Sequence, residues 1–367
     1  MSSIRRTSAW PLALVYVLLV VYASLYPFSD WRDQGIAPWA FLTAALPKYW
    51  TGFDVAINMA GYAPLGFLLA LSGVRSQATR HPIFWATLGG ALVSLLMEGL
   101  QSYLPVRVPS NVDFALNAAG TLVGAWLAWA LDWLGLVNAW SQFRARWFVA
   151  DAQGVLVLLV LWPVALLFPP AVPFGLGQVL ERLESSLAEA LADTPFLEWL
   201  PVRDVELQPL VPSAELVCVM LGALVPCLLG YGVIRSVRQR ALFAMLMLGL
   251  GVAASALSAT LSYGPLHAMD WVSLPVEVGL WAAYVLAAML LPVPRRGCAA
   301  LALVALVLHL SILNTAPTSA YFAQTLATWE QGRFIRFHGL VQWLGWLWPY
   351  AAIVYVLGHV SRRGTEN

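Results

Sequence analysis

Charge is what this chain has least of. Lys, Arg, Asp and Glu together make up 11% of its 367 residues, hydrophobic residues make up 60%, and the mean hydropathy is +0.74. A water-soluble protein of this length needs a mixed charged surface over its core, so this scarcity leaves lipid as the main solvent. Three cysteines, Cys218, Cys227 and Cys298, supply no disulfide framework, and the first two share one apolar run, which argues against redox chemistry. The five histidines form no compact ligand set, and the chain lacks a glycine-rich nucleotide loop and a dense basic patch for a phosphate backbone. No metal, cofactor or nucleic-acid partner is therefore expected. The first apolar run passes into YPFSDWR without an Ala-x-Ala-like cleavage site and reads as a retained helix.

Long apolar runs are abundant. They fall at roughly 12–28, 56–73, 82–103, 112–131, 152–170, 213–234, 241–261, 271–291, 297–313 and 339–358. The expected fold class is all-α, a polytopic transmembrane helical bundle of about ten spans. With the N-terminus in the cytoplasm, the inner loops hold 13 of the 20 basic residues, which favours an even number of spans with both termini inside. Aromatic clusters such as Trp31/Trp39/Tyr49/Trp50 and Trp343/Trp346/Trp348/Tyr350 fit interfacial belts, although large rings also pack protein cores.

The longest outer connection, about 171–211, carries seven acidic residues against two basic ones. Within it QVLERLESSLAEALAD places Val179, Leu183, Leu187 and Leu191 on one helical face, as in an amphipathic helix lying on the outer bundle face or the interface. A solvated linker helix is the alternative.

Polar residues gather at one end of the early helices. Asp54, Asn58 and Gly61 stand at i, i+4 and i+7, and Asp113, Asn117, Gly120 and Gly124 repeat the spacing, so 54–66 and 113–125 read as a short internal repeat. Glu98 and Gln101 lie toward the outer end of the preceding run, with Arg107 in the loop that follows. Buried charge in a bilayer needs partners, so these groups are expected to converge, with Gly61 allowing close helix approach. Arg107 can offset carboxylate repulsion or offer its fork of N–H groups to a phosphate or carboxylate. Helix capping by Asp54 and Asp113 and interhelical bonding by Asn58 and Asn117 are equally available roles.

Three stretches carry a family resemblance: DVAINMAGYAPLGFLL at 54–69, MEGLQSYLPVR at 97–107 and VDFALNAAGTLVG at 112–124. On these, residues about 10–132 resemble a VanZ-like membrane domain. The resemblance implies a small helical membrane module of the bacterial cell envelope, in a family whose founding member is associated with lowered susceptibility to the glycopeptide teicoplanin. It marks Asp54, Asn58, Glu98, Gln101, Arg107, Asp113 and Asn117 as the acidic, amide and basic positions, and Pro64, Gly66, Gly120 and Gly124 as architectural ones. It assigns no reaction, and it places the chain in a bacterial cytoplasmic membrane.

Two domains are expected: 1–150, VanZ-like, and 151–367, an additional membrane domain. LPVR recurs at 104–107 and 200–203 and VPS at 108–110 and 211–213, so the second region reads either as a degenerate repeat, with Glu215 and Gly222 near the positions of Asp113 and Gly120, or as a coincidence of biased composition. Glu277 and His267 are isolated polar candidates there. In WEQGRFIRFHGLVQW, Arg333, Arg336 and His338 run against the inside bias of basic residues and suit either an anionic headgroup or an internal salt bridge. The leading expectation is outer-leaflet recognition, and by extension translocation, of an anionic cell-envelope lipid or lipid-linked precursor. The ligand-binding candidates are Asp54, Asn58, Glu98, Gln101, Arg107, Asp113, Asn117, Arg333, Arg336 and His338. A membrane-embedded lipid-modifying enzyme, with Glu98 or an aspartate as base, is the main alternative, though no nucleophile–base set accompanies it. A structural partner of an envelope-assembly protein is the third.

Overall fold

The computed structural model describes residues 9–26, 28, 30–46, 51–77, 79–199, 208–317 and 335–364. Arg333 lies outside them, as do the side chains of Arg336 and His338. The described residues form helices α1 (Ala9–Leu25), α2 (Gly52–Ser76), α3 (Pro82–Gln101), α4 (Asn111–Trp133), α5 (Leu136–Trp147), α6 (Gln153–Ala165), α7 (Leu180–Leu191), α8 (Pro212–Val233), α9 (Val237–Tyr263), α10 (Leu274–Met289), α11 (Arg295–Leu313) and α12 (Ile335–Gly364), and no strand occurs among them. The fold is all-helical. Six helices, α2, α3, α4, α8, α9 and α11, are long and apolar enough to cross a membrane, and α1, α6 and α10 are apolar but shorter. The chain divides into two compact units, Met1–Phe143 and Arg144–Asn367.

In the first unit the helix starts follow from local chemistry. Thr51 caps α2 in a reciprocal box with Asp54, and Ser110 accepts from the Asp113 amide at the start of α4. Pro64 is accommodated inside α2. The organising contact is between α2 and α4, which run parallel with α3 returning between them. A Cβ on Gly120 would collide with the Met59 backbone, one on Gly124 with the Ala63 backbone, and one on Gly66 with the Thr121 backbone. Small residues let backbones touch where the hydrophobic effect cannot drive helices together, because lipid tails are as apolar as the side chains. Gly61 takes no part in this approach: a Cβ there would meet open space, and its carbonyl accepts from the Tyr16 hydroxyl at 2.9 Å. Gly66 has the role expected of Gly61.

The second unit is built around α8, which is apolar all round and buried over most of its length, from Cys218 to Val233. Helices α10 and α11 pack against it, and α12 packs on α6. At the end of α8 the buried Arg240 donates to the Leu291 carbonyl at 2.9 Å and the Val293 carbonyl at 2.7 Å, tying α9 to the α10–α11 turn. The apolar run expected to span 152–170 stops being helical at Ala165. Pro163 is accommodated inside α6, whereas Pro169 and Pro170 deny the backbone the amides that a continued helix needs, and residues 166–179 continue as irregular chain, much of it buried. A further helix not anticipated from the apolar runs, α5, ends in the basic residues Arg144 and Arg146, where cations complement the helix dipole.

Replacing Gly124 with leucine should separate α2 from α4 and lower stability by about 1–3 kcal/mol, the usual cost of overpacking. Thermal unfolding of the detergent-solubilised protein checks this; leucine at Gly61 serves as the control and should change little.

Candidate functional site

Six side chains, two from each of three helices, meet inside the first unit. Asn58 and Tyr62 on α2, Ser94 and Glu98 on α3, and Asp113 and Asn117 on α4 are each separated by four residues, so each pair shares a helix face. Asn58 Nδ2 donates to Asp113 Oδ1 at 2.9 Å, and Asn117 Nδ2 donates to Ser94 Oγ at 3.0 Å. Glu98, 4% exposed, accepts from the Ser110 backbone amide at 2.8 Å, which puts its carboxylate at the positive N-terminal end of α4. Thr121, fully buried, closes the row below Asn117 by donating to its carbonyl at 2.9 Å.

This cluster keeps spare hydrogen-bonding capacity. Asn117 Oδ1 and the Tyr62 hydroxyl are buried without a hydrogen-bond partner among the described residues, Tyr62 lying beside Ser94, Ser24 and Glu98 without a well-formed bond to any of them. Exchanging the oxygen and nitrogen of the Asn117 amide would still leave one of its arms unsatisfied. Buried polar groups are ordinarily paired, so these two atoms remain available to a further hydrogen-bonding partner.

The remaining sequence-predicted residues take positions around the cluster. Asp54 sits in the capping box, accepting at Oδ2 from the Thr51 amide and hydroxyl, both at 2.8 Å. Gln101 donates to the Ser24 carbonyl at 3.0 Å. Arg107 Nη2 donates to the Tyr26 carbonyl at 2.8 Å and the Ala23 carbonyl at 3.3 Å, so the guanidinium rests on the C-terminal end of α1, where a cation is favoured. Sequence reading missed Tyr62 and Ser94. Their signal was present: each lies one helical turn from a residue already singled out, Asn58 and Glu98 respectively.

Above the cluster the chain covers the helix ends with apolar loops. Trp39 packs over Gly99, Gln34 donates to the Ser102 carbonyl at 2.7 Å, and Asn111 donates to the Ala44 carbonyl at 2.7 Å, which pins residues 31–46 across the ends of α3 and α4. These loops leave large apolar side chains exposed, among them Leu46 at 73% and Val108 at 84%, with Trp31, Ile36 and Val106 nearby in the chain. An exposed apolar rim on irregular loops at one end of a membrane bundle is suited to the headgroup–acyl boundary.

Residues 10–133 match the VanZ/LLP1 family model. The N-terminal third is VanZ-like. The match ends at the last residue of α4 and takes in all six side chains of the cluster together with Arg107. Neither the curated proteins nor the solved structures yielded a match to the chain. The VanZ-like region together with the six long apolar helices makes this an integral membrane protein.

Among the described residues of the second unit the polar candidates do not assemble in this way. Glu215 Oε1 accepts from the Ser273 hydroxyl at 3.2 Å, Glu277 lies exposed in the first turn of α10, and His267 meets Asp270 at 2.6 Å on an exposed turn.

A double-mutant cycle on Asn58→Ala and Asp113→Ala should return a coupling of about 0.6 kcal/mol and no more than about 1.7 kcal/mol, the range for interhelical hydrogen bonds in membranes. Equilibrium unfolding in detergent or bicelles measures it, and strict additivity would show that the two side chains do not meet.

Proposed function

We propose that the VanZ-like unit recognises an anionic cell-envelope lipid, or a lipid-linked envelope precursor, from the outer leaflet of a bacterial cytoplasmic membrane. The observation that carries this reading is the pairing, at one end of the unit, of an exposed apolar rim with a polar interior that has unsatisfied capacity. Acyl chains would lie against the rim at Val106, Val108 and Leu46 while headgroup atoms reach the polar side chains. Arg107 supplies the positive charge. Its two carbonyl contacts fix the guanidinium, and a pre-positioned fork loses less freedom when it meets a phosphate. Asn117 and Tyr62 offer hydrogen bonds to headgroup hydroxyls, and Asn58 and Gln101 orient the groups around them. Glu98, Asp54 and Asp113 set the charge of the site and disfavour a second anion.

In this reading ten helices span the bilayer, α1 to α4, α6 and α8 to α12, with both termini in the cytoplasm. The distribution of basic residues supports the orientation: Arg80 and Arg235 fall in connections, and Arg75, Arg238, Arg240, Arg295 and Arg296 in the helix turns next to the connections that this topology assigns to the cytoplasm. The acidic α7 region then lies outside, with Leu183 and Leu187 against the interface. Arg333, Arg336 and His338 would stand on the same outer side and add basic charge there. Translocation of the bound lipid would require a second conformation of the unit.

The test is lipid binding by the purified protein in nanodiscs, read by native mass spectrometry across phosphatidylglycerol, cardiolipin, polyprenyl phosphate and zwitterionic phosphatidylethanolamine. The wild type should retain an anionic lipid selectively. Arg107→Gln should weaken that retention about tenfold or more while helical content is preserved, and Arg107→Lys should recover only part of it. Equal retention of all four lipids by the wild type would refute the reading.

A further inference from the structure

Three turns of the second unit are tied to one another at one end of its helices. The chain leaving α5 pairs with the chain leaving α8: the Val149 amide donates to the Val233 carbonyl at 3.0 Å, the Arg235 amide donates to the Trp147 carbonyl at 3.1 Å, and Phe148 and Ile234 form an antiparallel bridge between them. Arg235 Nε adds a bond to the Phe148 carbonyl at 2.9 Å. Arg240 then joins this pair to the α10–α11 turn. Its Nε donates to the Ile234 carbonyl at 3.4 Å while its Nη1 donates to the Leu291 and Val293 carbonyls. Residues 144–152, 233–240 and 290–297 are thereby gathered in one place.

The charge of this junction is almost entirely of one sign. Its three stretches carry seven arginines, Arg144, Arg146, Arg235, Arg238, Arg240, Arg295 and Arg296, against one acidic residue, Asp151. Among the described residues none of the seven forms an ion pair. Arg235 and Arg240 are held by carbonyls, which satisfy N–H groups and leave the positive charge uncancelled. Arg240 is 6% exposed and lies with its guanidinium carbon 5.7 Å from the centre of the Tyr231 ring. Arg146, Arg235, Arg238 and Arg296 are exposed, and the apolar side chains of Val237 and Leu242 are exposed next to them in the chain.

The bias of basic residues toward one side of a membrane accounts for arginine in each turn taken separately. It does not call for hydrogen bonds that collect the three turns, where like charges raise one another's energy. A cluster without internal counter-charge at the ends of membrane helices draws anions from outside the chain, and the anions concentrated at that depth are lipid phosphates. The fork of guanidinium N–H groups matches phosphate oxygens, and exposed Val237 and Leu242 suit the acyl boundary just below them.

We infer that the joined α5–α6, α8–α9 and α10–α11 turns of the second unit form a binding site for anionic phospholipid headgroups in the leaflet that this end faces, the cytoplasmic leaflet in the proposed topology. The exposed Arg238 and Arg296 meet the phosphate, and Arg235 and Arg240 hold the turns together and add their charge. The inference concerns the second unit alone and stands independently of lipid recognition by the first.

Photo-crosslinking of the full-length protein in phosphatidylcholine nanodiscs tests it. Phosphatidylglycerol and phosphatidylethanolamine probes, each with the same diazirine at the glycerol end of one acyl chain, are added in turn at equal low mole fraction, and labelled peptides are mapped by mass spectrometry. The phosphatidylglycerol probe should label peptides covering 144–152, 233–242 and 290–297 about tenfold more than the phosphatidylethanolamine probe, the advantage that a few arginines give an anionic headgroup. The double substitution Arg238→Gln/Arg296→Gln, at side chains that make no hydrogen bond among the described residues, should remove most of that preference, whereas Arg107→Gln should leave it unchanged. In the wild type, raising NaCl from about 0.1 to about 0.5 M should also lower the preference, a reading that needs no variant to fold. Equal labelling by the two probes, a preference untouched by the double substitution, or one indifferent to salt overturns the inference. So does loss of the preference on adding millimolar inorganic phosphate at constant ionic strength, which would assign the cluster to free phosphate instead.

Discussion

The first unit depends on backbone contact between two parallel helices in a solvent that does nothing to push them together. Lipid solvates apolar side chains as well as a neighbouring helix does, so association must come from close packing and from polar groups that have no better partner. Gly66, Gly120 and Gly124 supply the first, and Asn58, Asp113, Ser94 and Asn117 supply the second. The two act jointly. Without the glycines the helix axes stand too far apart for Asn58 to reach Asp113, and without the polar pairs the close approach has little to fix its register.

Much of this was written plainly in the sequence. The Asp-x-x-x-Asn spacing at 54–58 and again at 113–117 does correspond to two parallel helices whose equivalent faces meet, and the six long helices begin and end within about four residues of their apolar runs. The same spacing misassigned detail. It treated Gly61 as a contact because Gly120 is one, whereas the crossing places Gly66 there, and a repeat in sequence does not fix which member of each turn faces the partner. Arg107 was legible as a charge in need of partners; that two of them are backbone carbonyls at the end of α1 was not, because carbonyls are present in every residue and leave no mark on composition.

The second unit was harder to read for a related reason. An apolar run of suitable length looks the same whether it continues as helix or unwinds inside a protein, and periodicity does not separate the two. The prolines at 169 and 170 hinted at a stop, but the buried course of 166–179 depends on His309, Asn314, Gly345 and Tyr350, all more than 120 residues away in the chain. The two units thus solve the same problem differently. The first pairs polar side chains across helices, and the second uses side chains to capture the polar groups of an unwound backbone.

The most direct test is an experimental map of the protein in nanodiscs containing phosphatidylglycerol. The account predicts Asn58 within hydrogen-bond distance of Asp113, Glu98 on the Ser110 amide, and headgroup density at that end of the bundle beside Val106, Val108 and Arg107. A map in which Asn58 and Asp113 face lipid on separate surfaces, with no lipid ordered at the rim, would contradict it.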